Sequence, residues 1–385
     1  MKITGDWITA PATQSVCRML TEAGHQALFV GGCVRNALFD VPVNDIDLAT
    51  DAVPARVLEL ARAAGLDAVP TGIDHGTVTV IADHVPHEIT TFRKDVETDG
   101  RRAVVAFSTD VSDDAHRRDF TMNALYARPD GDVVDPLGGM VDLVNRRVRF
   151  IDDADLRIRE DYLRILRYFR FHAWYGDAEA GMDAQALAAI AANIDGLGGL
   201  SHERIGHEMR RLLGAPDPAP AVAAMRSTGA LGAVLPGTDD RALALLVHLE
   251  PELRLDPEPI RRLATLGGDG MTARLRLSRK EARHLDELRT AAANTDSAAA
   301  LGYRMGVQPA LSALALRSAL LETPLPPDAA AQARTGARAV FPVTPADLMP
   351  DLAGPALGAT LKRLESDWVA SGFTLSRDDL LARRR

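Results

Sequence analysis

Strand-like patterning in this chain stops at Asp152, and that single change limits the folds open to it. Ahead of it, short apolar runs bounded by turn residues recur at 27–30, 46–48, 77–81, 88–92, 104–107, 133–134 and 148–151, and this spacing predicts strands. Helical periodicity fills the intervals over 10–23, 34–39, 55–64 and 118–126. Beyond Asp152, long segments rich in Ala, Leu, Arg and Glu run to the C-terminus, broken by Pro or Gly clusters near 195–200, 214–220, 235–238, 266–270 and 323–328. The pattern predicts an α+β head followed by an all-helical remainder. Such a division suggests chemistry at one end and a grip on a large substrate along the rest.

Composition narrows the possibilities further. At 385 residues the chain exceeds one ordinary domain. A 46% hydrophobic and 25% charged composition is that of a soluble globular protein. No apolar stretch reaches the roughly 18 residues of a membrane span, and no apolar run follows a basic start, so a cytoplasmic protein without membrane association is expected. Cys17 and Cys33 are too few for a disulfide framework or a structural zinc site, and are expected to pack as small buried apolar residues. A formal charge of −9 argues against non-specific coating of nucleic acid. Positive charge is nevertheless dense between 145 and 170, where Arg146, Arg147, Arg149, Arg157, Arg159, Arg164, Arg167 and Arg170 fall, and RNA is expected there if anywhere.

Two short motifs carry chemistry. Phe29-Val30-Gly31-Gly32-Cys33-Val34-Arg35-Asn36 reads as a strand that ends in Gly-Gly and opens a helix. Glycine lets backbone N–H groups approach a triphosphate, the helix start favours its charge, and Arg35, one turn in, can neutralise another phosphate. In Asn44-Asp45-Ile46-Asp47-Leu48 the two-residue strand period puts Asp45 and Asp47 on one face and Ile46 on the other. Carboxylates so close repel unless a cation lies between them, and a hard ion such as Mg²⁺ suits them. Glu88, in the run 88–92, is a candidate third carboxylate for a two-metal mechanism. Each element has a plainer reading: a tight turn, an exposed polar strand face, a solvated surface glutamate.

Taken together, these motifs match the signature of the polymerase-β-like nucleotidyltransferases. Three further segments follow: Arg117-Arg118-Asp119-Phe120-Thr121-Met122-Asn123-Ala124, Asp135-Pro136-Leu137-Gly138-Gly139-Met140-Val141-Asp142-Leu143, and Arg159-Glu160-Asp161-Tyr162-Leu163-Arg164-Ile165-Leu166-Arg167-Tyr168-Phe169-Arg170-Phe171. In order and spacing they resemble the motifs of the class II CCA-adding enzymes and bacterial poly(A) polymerases. Leu200-Ser201-His202-Glu203-Arg204-Ile205 resembles the family's neck motif, and Ala353-Gly354-Pro355 a weaker one in its tail.

The resemblance implies a head over 1–150 with a mixed five-stranded sheet, then a helical neck at 151–214, body at 215–322 and tail at 323–385. It implies Gly32, Arg35, Arg118, Arg167 and Arg170 as nucleotide contacts, and Asp161 with Arg164 as a base-reading pair. On one helix those two would be i and i+3 and present their polar tips together, although the same spacing also makes a plain salt bridge. Asn36 replaces the family's usual Asp after Arg35. The polar stretch 93–102 resembles the family's mobile loop, or is an ordinary hairpin connection. The activity implied is template-independent addition and repair of the tRNA 3′-CCA from CTP and ATP. Its implied partners are the tRNA 3′ end and acceptor arm, with no obligate protein partner. Poly(A) synthesis, CC-only or A-only addition, and a non-catalytic RNA-binding protein on the same fold are the alternatives. No His-Asp dipeptide occurs, so the phosphohydrolase domain of some relatives is not expected.

Overall fold

The structure is a computed structural model that describes residues 1–99, 102–349 and 351–384. Its residues divide into two compact units, Met1–Arg204 with Ala224–Val234, and Ile205–Ala223 with Leu235–Arg385.

The first unit is built on a seven-stranded mixed sheet. Its strands are β1 (Leu28–Val30), β2 (Ile46–Thr50), β3 (Asp67–Gly72), β4 (Thr77–Ala82), β5 (Val85–Thr91), β8 (Tyr126–Ala127) and β9 (Val133–Val134), in the order β3-β4-β5-β2-β1-β8-β9. A separate hairpin pairs β6 (Arg93–Asp99) with β7 (Arg102–Phe107). The expected five strands therefore become seven. The additions are β3, an edge strand with mostly exposed side chains and Pro70 within it, and the two-residue β8, which pairs with the expected run at 133–134. Neither has apolar alternation to announce it, and an edge position is where a strand tolerates proline. The polar stretch 93–102 is hairpin strand rather than connecting loop, except for residues 100–101, which lie outside the described residues. The run 148–151 is not a strand, contributing only the isolated bridge of Phe150 to Phe120. The expected helix over 118–126 is instead a single 3₁₀ turn, Thr121–Asn123, leading into β8.

Helices α1 (Pro11–Thr21) and α2 (Gly32–Leu38), then α3 (Pro54–Ala63), flank this sheet, with α1 and α3 packed on β4. In β4, Val78, Val80 and Ala82 are buried while Thr77, Thr79 and Ile81 are only partly covered. On the strands that carry the site, Leu28, Val30 and Ala49 pack with Phe92, Ala124, Tyr126 and Ile151. Helices α4 (Val111–His116), α5 (Gly139–Val144), α6 (Ala154–Glu160) and α7 (Leu163–Tyr175) follow.

The second unit is helical, and its Thr238–Gly267 bridge is the one β contact among its described residues. A core of Leu246, Leu253, Leu301, Leu311 and Leu314 is closed by alanines, and a second cluster gathers around Trp368 and Leu364. Helices Ala298–Met305 and Ala329–Arg338 approach so closely that a Cβ on Gly302 or Gly336 would stand 2.1 or 1.8 Å from the carbonyl oxygen of Ala333 or Ala299. Among the described residues no helix is long and apolar enough to cross a membrane.

Candidate active site

Gly31 lies between β1 and α2 with φ of 71°, a left-handed conformation that suits glycine. It lets the chain turn from strand to helix directly under Arg118: a Cβ at Gly31 would stand 3.4 Å from Arg118 Nη1. Gly32 then begins α2. Cys33 is buried beneath this turn, its thiol donating to the Val30 carbonyl at 3.3 Å and the Asp47 carbonyl at 3.6 Å, and burial pushes it up to about 11. Cys17 is buried too.

Beside the turn, β2 runs antiparallel to β1 and parallel to β5, in a register that sets Asp47 against Glu88. Registered neighbours in a parallel pair point to the same face, so the carboxylates of Asp47 and Glu88 face one way. Asp45 precedes β2 by one residue, is exposed, and shares the parity of Asp47. None of the three side chains has a hydrogen bond or ion pair with the described residues. Burial first, then the charges of Glu88 and Asp45, raise Asp47 to about 6, against the opposing pull of Arg118.

Among the described residues no three of His, Cys, Asp and Glu stand close enough to cage a metal between them. An open pair of carboxylates suits Mg²⁺, which keeps water and substrate phosphates in most of its coordination positions.

Arginines gather around Phe171 and Tyr175. Arg35 is buried, and it donates to Asn123 Oδ1, to Asn36 Oδ1 at 3.0 Å and to the Tyr175 hydroxyl at 2.9 Å, with its guanidinium 4.1 Å from the Tyr175 ring centre. Asn36, in place of the usual Asp, thus still supports Arg35, and it ties itself to the Pro42 carbonyl. Asp119 gathers the next layer, accepting from Arg167 Nε at 2.6 Å and from Asn123 Nδ2 at 2.9 Å. Burial alone would raise the Asp119 carboxyl, but Arg167 and Asn123 hold it down at about 2. Arg170 is buried with its guanidinium 4.7 Å from the Phe171 ring centre, and Arg167 lies 5.4 Å from the same ring.

Asp161 and Arg164 do not share a helix. Helix α6 ends at Glu160, Asp161 is extended (φ −153°, ψ 104°), and α7 begins at Leu163. Two contacts explain the break. The Tyr162 ring lies over Gly196, where a Cβ would come within 2.0 Å, and Asp161 Oδ1 accepts from the Leu163 amide at 3.1 Å at the start of the new helix. Their partners differ accordingly. Asp161 pairs with Arg204 at 2.6 Å, and Arg164 with Glu160 at 2.5 Å and the Arg157 carbonyl at 2.6 Å. Neither the shared-helix geometry nor a salt bridge between the two is present.

The arginine-dense stretch is also less positive than its sequence. Arg147 pairs with Asp183, Arg149 with Asp142, Arg157 and Arg164 with Glu160, Arg159 with Asp155, and Arg167 with Asp119. Asp119, Asn123, Glu160 and Arg204, within the motifs, and Asp114, outside them, are the partners that hold the arginines and Asp161, a role that motif order alone does not reveal. The signal for Asp114 was its i, i+4 spacing to Arg118.

The site thus sets a glycine turn under an arginine, with a carboxylate pair one strand away. Residues 27–149 match the family model described as Poly A polymerase head domain, and residues 181–241 the one described as Probable RNA and SrmB-binding site of polymerase A. The human mitochondrial CCA tRNA nucleotidyltransferase 1 is 43% identical over 201 residues, 52% of this chain and 46% of that protein. The CCA-adding enzyme of Geobacillus thermodenitrificans is 37% identical over 228 residues, 59% of this chain and 54% of that one. The chain thus matches only about half the length of these relatives. Across whole chains, the crystal structure of the Bacillus stearothermophilus CCA-adding enzyme in complex with CTP superimposes with a TM-score of 0.69 at 26% identity, covering 97% of each. The Thermotoga maritima CCA-adding enzyme complexed with tRNA-CCA shares the fold, with a TM-score of 0.71 at 17% identity over 96% of this chain and 93% of that one. The chain is thus similar to the poly(A) polymerase head domain over residues 27–149, and to CCA-adding enzymes over about half its length in sequence and nearly all of it in fold.

Proposed function

We propose that this protein adds and repairs the 3′-terminal CCA of tRNA from CTP and ATP, without a nucleic-acid template. The observation that carries the reading is the register of β2 and β5, which sets Asp47 against Glu88 on the strand next to the one that ends in the Gly31-Gly32 turn. In this reading Asp45 and Asp47 hold Mg²⁺, with Glu88 alongside. The bound ions would lower the cost of deprotonating the primer hydroxyl and offset charge on the leaving pyrophosphate. The Gly31-Gly32 turn and Arg118 bind the triphosphate. The 3′-oxygen of the RNA attacks the α-phosphorus, the bond to pyrophosphate breaks, and the hydroxyl proton leaves to solvent. Arg35, Arg167 and Arg170 support the nucleotide from the α2 and α7 side.

Cytosine and adenine each offer an amino donor beside a ring-nitrogen acceptor, which Asp161 as acceptor and Arg164 as donor would satisfy. To read a base, each must exchange a protein partner for the base edge: Arg204 or the Leu163 amide for Asp161, Glu160 or a carbonyl for Arg164. In this division of labour residues 1–150 carry the chemistry, 151–214 read the base, and 215–322 and 323–385 hold the tRNA, in the cytoplasm. The test supplies tRNAs ending in the discriminator base, in C or in CC with each nucleoside triphosphate separately and Mg²⁺. Stepwise addition of C, C and A is the expected result. Long A tracts on unrelated RNA would instead identify a poly(A) polymerase, and no incorporation would overturn the reading.

A further inference from the structure

Arg118 is clamped by two groups that the reaction as described does not use. Asp114, 2% exposed, accepts on its Oδ2 atom from Arg118 Nη2 at 2.9 Å, from Arg118 Nε at 3.2 Å and from the Tyr126 hydroxyl at 2.8 Å. The same hydroxyl accepts from Arg118 Nε at 3.1 Å, and the Tyr126 ring centre lies 5.3 Å from the guanidinium carbon. One edge and one face of the guanidinium are thereby fixed. The remaining corner, Nη1, has no hydrogen bond to the described residues and is the atom that stands over Gly31.

Arginine in this place has two anions to choose between. Asp47 feels its charge, and no other cation pairs with it among the described residues. A guanidinium free to turn toward that carboxylate would neutralise a group that the proposed function gives to a metal ion. Asp114 offers it a buried, geometrically better partner, strengthened by the Tyr126 hydroxyl on the same oxygen. Burial keeps that phenol protonated, hence a donor.

We infer that Asp114 and Tyr126 are positioning residues for triphosphate binding: they lock Arg118 so that Nη1 meets the phosphates above the Gly31-Gly32 turn and stays off Asp47. This rests on the nucleotidyltransferase reading. Because the clamp acts on phosphates and not on the base, its loss has a recognisable pattern.

The experiment compares Asp114→Asn and Tyr126→Phe with the unaltered protein. It measures KM for CTP, ATP and tRNA, inhibition by pyrophosphate, equilibrium CTP binding and the thermal midpoint. In Asp114→Asn, the CTP and ATP KM values should rise together by about tenfold or more, with pyrophosphate inhibition weakened by the same factor. Tyr126→Phe should shift both by a smaller common factor, and KM for tRNA should stay put in each variant. On an Arg118→Ala background, Asp114→Asn should add less than about twofold. Unchanged nucleotide KM values, unequal shifts for CTP and ATP, or an equal shift for tRNA would overturn the inference. Should Asp114→Asn fail to fold, Tyr126→Phe decides on the same readouts. If the unaltered protein incorporates no nucleotide, the functional reading has failed, and the CTP binding titration still tests the clamp alone.

Discussion

Both units set arginine against a buried carboxylate, and they finish the job differently. In the helical unit Glu250 holds Arg261 and Arg262, all three nearly inaccessible. Arg262 uses every N–H it has: Nε and Nη2 on Glu250, Nη1 on the Leu213 and Ala215 carbonyls, and Nη2 also on the Pro216 carbonyl. In the sheet-bearing unit Asp114 binds only one edge of Arg118 and leaves Nη1 over the glycine turn. A guanidinium with no donor left over is a structural rivet, whereas one with a spare donor at the mouth of a turn is equipped for a ligand. Counting arginines does not separate the two cases, but following each N–H does.

The contrast breaks most sharply at the acidic pair. Asp45→Ala and Asp47→Ala should each lower nucleotide incorporation by on the order of 10³-fold or more while the thermal midpoint stays within a few degrees, since neither side chain has a folding partner. Incorporation assays alongside thermal unfolding check this, and activity within about tenfold of the parent would remove these residues from the chemistry.

Glu250→Ala should do the reverse. Stranding two buried guanidinium groups costs about 3–5 kcal/mol of stability, visible as a lower midpoint in urea or heat, with nucleotide KM unchanged in whatever protein remains folded. A midpoint unmoved by this substitution would show that Arg261 and Arg262 are satisfied by the carbonyls and Ser312 alone.

A smaller effect sharpens the picture at the base-reading pair. Asp161→Ala and Arg164→Ala should relax exclusion of UTP and GTP by about 10- to 100-fold, less than a rigid pair would give, because each residue already divides itself among protein partners. Relative incorporation of the four triphosphates measures it, and parental selectivity in both variants would assign the pair to structure.

The smallest effect concerns pH. Asp47 has a folded value of about 6, above the 3.8 of an ordinary carboxyl, so its ionisation opposes folding. The cost is absent below the unfolded value, grows between the two and is complete above about pH 6. Without divalent ions, Asp47→Asn should therefore stabilise the protein at pH 8 by about 1 kcal/mol and leave it unchanged near pH 4. Equal stabilisation at both pH values would point to packing and not to charge.

Much of this was legible in the residues because local pattern and tertiary role coincide. Strands β1, β2, β4 and β5 declare themselves by apolar runs, and the Gly-Gly motif sits where the first of these runs ends and the Asp-x-Asp motif where the next begins. The misses have physical reasons. β3 is polar because it lies on an edge, and β8 is only two residues long. The break at Asp161 depends on Tyr162 meeting Gly196, a contact between residues 34 positions apart that no periodicity records. The neutralised arginines escaped for the same cause: Asp119 and Asp142 are near Arg167 and Arg149 in space, and sequence density reports charge without its partners.

The parallel pairing of β2 with β5 has a consequence for folding itself. Asp47 and Glu88 come from segments 41 residues apart, and nothing but backbone register aligns them. A slip of one position would present His87 or Ile89 to Asp47 and turn Glu88 to the other side of the sheet. Such a molecule would keep nearly all its strands and helices, and by circular dichroism it would pass for native. Its failure would show only as a fraction of dead protein in an active-site titration. Changes at the β4–β5 turn, where Asp83 and His84 both have positive φ, are therefore expected to lower the number of working molecules without altering the rate of those that work.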